Sequence, residues 1–428
     1  MKFLFEDNFN DLLDIKITDG PFIYTEKQRA TLLAAFFYGY LITEIPGGIL
    51  AGKFGSMIPM AAGTALNSLS AWHYVSAAKH SYGLFVFTRV LVGCGSGVIL
   101  PCASNVWTKW APVSEKSFLI AIATSGAHIA PIFILPLGGY LCKASGWEAI
   151  FYVTASIELL WILLWLIFFR DTPQKSWITP QREKDYILKH LDTVRVETNE
   201  LSAPWKAILT SKHCWGLFLT HTCANWGFYT LLTETPSYFS NVLYLDTSKS
   251  GFVSAIPYVI IWFTTTLSSF LADYLFRKNI IKNRTVIRKI AVMMGTWIPG
   301  IFLIALGFVK CSQQNLAILL LALGQGLFGI TWGAGHMCNA NDIVPVHAGV
   351  VFGISNTFAT LPGILTPYVT AVLTPQNTQK QWQIVFSLSA AIMMMGGVIF
   401  LFLGSGNPEI WDSDDNVPPH RGSITRMM

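Results

Sequence analysis

Apolar residues in this chain run in long blocks, and the blocks are separated by short clusters of charged and turn-forming residues. A bilayer core is about 30 Å thick, so a helix needs about 20 mostly apolar residues to cross it. Eleven blocks approach or exceed that length: residues 30–52, 57–78, 82–107, 117–142, 147–169, 213–240, 250–276, 286–309, 316–340, 347–373 and 382–403. Lipid cannot hydrogen-bond stray backbone, so each block is predicted to be a helix. The expected fold is all-α: a polytopic membrane protein of about eleven transmembrane helices.

Composition agrees with the pattern. Charged residues make up 12% of the chain and hydrophobic residues 52%, against about 25% charged in soluble domains. The first 29 residues hold no span, and Met1–Asn10 lacks the basic flank and apolar core of a secretory signal peptide. The longest polar stretch, Arg170–Lys212, contains the helix-like QREKDYILKHL at 181–191 and divides five spans from six. Proline and glycine at Pro362, Gly363 and Pro367 predict a break or kink in the tenth span.

Lys and Arg give the orientation, because positively charged loops resist translocation. If the residues after Ala51 are cytoplasmic, that side holds nineteen of the 29 Lys and Arg, eight of them in 170–212 and six between Arg277 and Lys289. The other side holds Lys79, Lys143, Lys249, Lys310 and Lys380. The expected domains are an external segment at 1–29, a five-span bundle at 30–169 and a cytoplasmic linker at 170–212. A six-span bundle at 213–403 and a cytoplasmic tail at 404–428 follow, the tail reading as disordered. The net charge of +5 then reflects topology, and no nucleic-acid partner is expected. The bilayer is the expected partner, and nothing points to an obligate protein partner. A short echo, GGILAGKFG at 47–55 and SSFLADYLF at 268–276, suggests duplicated halves of the kind that rock around a midplane site.

Arg89 lies inside an apolar block. An intramembrane Arg costs about 2.5–3.5 kcal/mol on insertion scales, so it should face a wet cavity or a partner. Its planar fork of donors suits a carboxylate or phosphate, although a structural ion pair or a snorkelling side chain is also open. Glu44 and Glu234 are candidates for coupling to a cation or proton, since a carboxylate taken out of water holds a proton more readily. Glu44 could instead be hydrated or paired with Lys53. Asn225, Tyr229 and Thr233 recur every helical turn on one face, which fits cavity lining or hydroxyl-mediated packing. Asp273 and its counterpart Gly52 close the two echoes at a predicted cytoplasmic gate. Gly93, Gly95 and Gly97 form a ridge for close packing.

Other chemistry is sparse. Seven cysteines show no metal spacing, and a disulfide between Cys142 and Cys311 is conceivable. His128, His221 and His336 are isolated in sequence and read as packed residues. No catalytic triad, metal set or phosphate loop is present, so neither an enzyme nor a resident cofactor is expected. The sequon at Asn283 falls on the predicted cytoplasmic side and is expected to stay unmodified.

Several segments together resemble one family: GYLITEIPGG at 39–48, FTRVLVGCGSG at 87–97, WTKWAPVSEKS at 107–117, GWEAIFYV at 146–153, APWKAILTS at 203–211, NWGFYTLLTETPSYF at 225–239, SAIPY at 254–258 and ISNTFATLPGILTP at 354–367. They resemble, in order, the anion-transporting branch of the major facilitator superfamily that holds sodium–phosphate cotransporters, sialin and vesicular glutamate transporters. The resemblance implies twelve helices in two six-helix bundles, with the first helix missing here. An incomplete reading frame or a shortened paralogue would each explain that. It also implies an anion contact at Arg89, which matches a family arginine. Glu44 stands where the family usually has glutamine, Ser96 where sialin and glutamate transporters have an acidic residue, and Ser104 where a histidine is frequent. Ala224 replaces the arginine of glutamate transporters, so that substrate is not expected. The implied function is a sodium- or proton-coupled secondary-active transporter of phosphate or organic anions such as sugar acids, in the plasma membrane or a lysosome-like vesicle. Sodium or a proton would be the coupling ion. A non-transporting sensor or scaffold that kept the fold is the alternative.

Overall fold

Helix α1, Glu26–Phe54, starts on a capping box. The Thr25 hydroxyl accepts from the Gln28 amide at 3.3 Å, and the Gln28 side chain accepts from the Thr25 amide at 2.9 Å, satisfying two groups that a helix start leaves open. The helix ends at Gly55, whose φ of +83° is a left-handed conformation glycine adopts at little cost. These details come from a computed structural model that describes residues 22, 24–112, 115–191, 204–244 and 247–412.

The first half continues with α2 (Met57–Trp72), α3 (Tyr74–His80), α4 (Tyr82–Gly97), α5 (Ile99–Trp110), α6 (Lys116–Ser145) and α7 (Glu148–Phe168). The polar stretch carries α8 (Gln181–His190) and α9 (Trp205–Thr210). The second half holds α10 (Lys212–Asn241), α11 (Thr247–Arg277), α12 (Arg284–Gly307), α13 (Gln314–Gly326), α14 (Gly329–Ala334), α15 (Asn339–Ile343), α16 (Ala348–Leu373) and α17 (Gln379–Leu403). Nine helical rods among the described residues are long and apolar enough to cross a bilayer. Two of the eleven expected blocks fall outside that set. The block at 57–78 folds as α2 and α3, which meet at His73 with the bonds His73 to Leu69 and Ala77 to His73 kept; Asn67 and His73 dilute its apolar residues, as His213, His221, Asn225 and Glu234 dilute those of α10.

Two helical bundles result, joined chiefly by α1 against α16 and α6 against α11. In the first half, small residues bring backbones together, as expected where lipid supplies no hydrophobic drive between helices. A Cβ on Gly93 or Gly97 would strike the Phe36 or Tyr40 carbonyl of α1, and one on Gly95 would strike the Gly63 carbonyl of α2. In the second half, α10, α12, α13 and α17 enclose an apolar core that includes Tyr238, Leu303, Leu321, Trp382 and Phe386.

Polar clamps secure the side of the molecule that carries the 170–212 stretch, hereafter the linker face. Asp171 accepts from the Ser56 and Met57 amides at 2.6 and 2.8 Å, capping α2. In the second half, Arg288 donates to Asp342 at 2.6 Å and to the Ala334 carbonyl at 3.0 Å.

Two expectations are corrected. The tail is packed through Asp412: Glu409 accepts from Ser211 at 2.5 Å, and Asp412 lies 2.6 Å from His347. Residues 413–428 and 1–21 lie outside the described residues. Of the break or kink expected at Pro362 and Pro367, the break does not occur: α16 runs through both as one helix, because neighbouring helices can accommodate the lost backbone bonds of proline within a membrane bundle.

Candidate transport site and gate

Both candidate coupling carboxylates lie where the halves meet. Glu44 sits mid-helix on α1 with 5% exposure, and Asn356 of α16 donates to one of its oxygens. The other oxygen is buried without a partner. Tyr40, one turn earlier on α1, faces the same Asn356. Glu44 is therefore bonded across the boundary and not to Lys53.

Glu234 is 2% exposed on α10. Arg29 of α1 reaches it at 3.4 Å and also bonds Glu26 at 2.8 Å and Ser237 at 2.5 Å. Glu26 in turn accepts from Asn377 at 2.9 Å. This network sits at the face opposite the linker, beside two tight contacts between the halves. Phe37 packs against Tyr229, with ring centroids 4.9 Å apart, and covers Gly363. Gly251 of α11 lies so close to α6 that an added Cβ would come within 2.6 Å of the Leu135 carbonyl.

Nearer the linker face several glycines have open space beside them. Gly52 on α1, Gly126 on α6, and Gly349 and Gly353 on α16 each have nothing within 4 Å of where a Cβ would project. The halves are thus held together at the face opposite the linker, with Glu44 buried further along α1.

Of the substrate candidates, Asn225 donates to the Ala359 carbonyl at 3.2 Å and keeps a buried, unpartnered oxygen. The Thr233 hydroxyl bonds the Tyr229 carbonyl at 2.9 Å and faces Glu234 at 3.4 Å. Arg89 is not brought against this face. Its Nε donates to the Leu32 carbonyl of α1 at 3.1 Å, and its guanidinium lies 5.8 Å from the Tyr74 ring centroid. Arg89 meets α1 from the first half, whereas Tyr229 meets it from the second. Among the described residues Arg89 forms no ion pair with a carboxylate. Asp273 lies exposed at the linker face, 3.5 Å from Arg277, while Gly52 has open space beside it.

The histidines are less isolated than their spacing suggests. His221 and His336 are buried with ring centroids 5.0 Å apart, bonded to Ser355 at 2.9 Å and Thr331 at 2.7 Å. His128 packs on Trp332 across the boundary at 4.7 Å. No group of three or more metal-ligating side chains converges among the described residues. Cys142 is a free thiol, and the Cys311 side chain lies outside the described residues. Sequence reasoning missed Arg29, which sits just ahead of the first apolar block, and Asn356, an uncharged residue within one. It also missed Glu158 on α7, which accepts from Asn67 at 3.2 Å and has a buried, unpartnered oxygen; its position in an apolar block was the available signal.

Comparisons with known proteins agree with this architecture. A sequence model described as Major Facilitator Superfamily matches residues 21–298. Sialin from Homo sapiens is 36% identical over 399 residues, covering 93% of this chain and 80% of that protein. Human vesicular glutamate transporter 2 is 33% identical over 384 residues, which is 88% of this chain and 65% of that protein. Among solved structures, the E. coli xylose transporter XylE in an inward-open conformation aligns with a TM-score of 0.68 at 14% identity, covering 88% of this chain and 86% of that one. A bacterial homologue of the human lysosomal transporter Spinster, inward-facing and occupied, also gives 0.68 at 14% identity and covers 89% of each chain. At such identity the solved structures speak for the fold alone. The long collinear match to sialin is far more specific, and it places the chain in the major facilitator superfamily, within the branch that contains sialin and the vesicular glutamate transporters.

Proposed function

We propose that this protein is a secondary-active transporter of small anions that works by alternating access, with its linker face toward the cytoplasm. The observation that carries the reading is a polar contact between the halves: Arg29 of α1 reaches the buried Glu234 of α10 across the boundary at one face. A transporter that rocks two bundles about a midplane site needs contacts that can break at one face as others form at the opposite face. One relative is named for glutamate, a small anion. Because Ala224 stands where that branch has arginine, phosphate or another organic anion is the substrate class assigned here.

Arg89 supplies the anion contact in this reading. It is a charge within the bilayer beside the Leu32 carbonyl and Tyr74, with no carboxylate paired to it among the described residues, and its planar fork of donors suits a carboxylate or phosphate. Asn225, Tyr229 and Thr233 line the path from the second half. Glu234 and Glu44 serve coupling to sodium or protons, and Asp273 and Gly52 belong to the linker-face gate. The compartment is the plasma membrane or a lysosomal or vesicular membrane.

The test is uptake of labelled phosphate, glucuronate, sialate and urate into proteoliposomes, with sodium and pH gradients imposed separately. Saturable flux of at least one anion is expected, and Arg89→Ala should reduce it about 30-fold, as for a lost hydrogen bond to a charged group worth about 2 kcal/mol. No flux from folded, inserted protein would overturn the transport reading.

A further inference from the structure

The linker face of the second half holds a cavity of about 630 Å³ that the transport path does not use. Lys282, Asn283, Arg284, Asn341, Asp342 and Asn407 line it. Its walls come from the α11–α12 connection, α15 and the packed tail. The tail is fixed there by the Gly406 amide, which donates to Thr285 at 2.8 Å, and by the Ser405 carbonyl, which accepts from Asn339 at 2.6 Å. The volume is that of a small-molecule site.

Charge gives the site its sign. Its carboxylate, Asp342, is engaged by Arg288 at 2.6 Å and by Arg284 at 3.4 Å. Two guanidiniums on one carboxylate leave an excess positive charge, and Lys282 adds another. Neither Lys282 nor the nearby Lys278 has an ion-pair partner among the described residues. The adjacent α12 begins at this wall: Asn283 caps it by accepting from the Thr285 amide at 2.9 Å. Neutral amide side chains of Asn341 and Asn407 add donors and acceptors for a polar ligand.

The rim is apolar. Ile280, between Lys278 and Lys282, is 60% exposed, and Ile410, beside the tail wall, is 88% exposed. Ile280, exposed between Lys278 and Lys282 just past the end of α11, places that side of the cavity at the acyl–headgroup boundary, where basic clusters attract anionic lipid.

We infer that this cavity binds a phosphate-bearing headgroup, with Lys282 and Arg284 holding the phosphate and the asparagines holding its hydroxyls. The inference stands apart from transport, because binding is read without flux.

The experiment uses the purified full chain with fluorescent phosphatidylinositol bisphosphate in phosphatidylcholine vesicles, beside soluble inositol trisphosphate and inorganic phosphate as competitors. Saturable binding is expected, weakened about fivefold or more in Lys282→Glu, the loss typical of one basic group at a membrane surface, and kept in Lys282→Arg. Displacement by the soluble headgroup would assign a free phosphate ester as the ligand, and resistance to it a membrane lipid. Among the described residues Lys282 has no ion-pair partner to lose, so the variants should match the parent in thermal unfolding. Binding that does not saturate, or that is equal in Lys282→Glu and the parent, overturns the proposal.

Discussion

Arg29 of α1 lies 3.4 Å from Glu234 of α10, across the boundary between the two halves, and the same guanidinium holds Glu26 of its own helix at 2.8 Å. One cation thus sits between a carboxylate of each half. Neutralising Glu234, by a proton or a bound sodium ion, removes the attraction across the boundary and leaves Arg29 with Glu26. Ion binding at Glu234 would in this way loosen the closed face, which is the link that coupled transport requires.

The pair makes a quantitative prediction. Arg29→Ala strands a carboxylate that is 2% exposed, and breaking a buried pair in this way costs about 3–5 kcal/mol. Glu234→Gln leaves Arg29 bonded to Glu26 and Ser237 and should cost about 1 kcal/mol. The double variant should be more stable than the sum of the two losses by about 0.5–3 kcal/mol. Chemical unfolding in detergent measures all three, and strict additivity would show that the contact carries no coupling.

At the linker face, Asp171, just past the end of α7, ties that connection to the start of α2. It accepts from the first amides of α2 at 2.6 and 2.8 Å and crowds the space where Gly55 would carry a Cβ. Asp171→Ala should lose about 1–2 kcal/mol, as for other helix caps, and Asp171→Asn less, because its amide oxygen still accepts. Gly55→Ala should be worse than Asp171→Asn, since it meets both a φ of +83° and the carboxylate. A ranking by thermal unfolding in which Gly55→Ala is neutral would contradict this geometry.

These contacts also mark what the sequence could report. The long apolar blocks announced the helices because length and composition are local properties. They left the course of α16 through Pro362 and Pro367 open between a break and a kink, because neighbouring helices decide whether a proline breaks a span. The residues joining the halves were harder to read. Glu44 and Glu234 stood out as charges in apolar blocks, but their partners did not. Asn356 is 312 positions from Glu44, and Arg29 is 205 from Glu234, so no local pattern pairs them. Arg89 illustrates the reverse case: its charge was conspicuous, yet only the packing of α4 on α1 reveals that Leu32 and Tyr74 are its neighbours.

Gly363 and Phe37 test the closed face by sterics instead of charge. A Cβ at Gly363 would fall on the Phe37 ring, which also packs against Tyr229. Gly363→Leu should hold the halves apart there and raise the labelling of a cysteine placed at Ser237, which otherwise lies buried. Phe37→Ala in the same chain should restore protection by opening the space. Unchanged labelling in Gly363→Leu would mean that this contact does not set the closure.

Glu44 separates a charge-carrying role from a packing role. Asn356 needs an acceptor at this position, and both glutamate and glutamine offer one. Glu44→Gln should therefore retain stability to within about 1 kcal/mol, whereas Glu44→Leu takes this acceptor from the half-buried Asn356 and should cost about 1 kcal/mol more. Transport discriminates further. If Glu44 carries a proton between the faces, Glu44→Gln abolishes flux driven by a pH gradient while equilibrium exchange of the anion continues, because exchange needs no net proton movement. If its role is to bond Asn356, both fluxes survive in Glu44→Gln and both fall in Glu44→Leu. Measuring the two fluxes in the two variants decides between these roles, and loss of exchange in Glu44→Gln would defeat both.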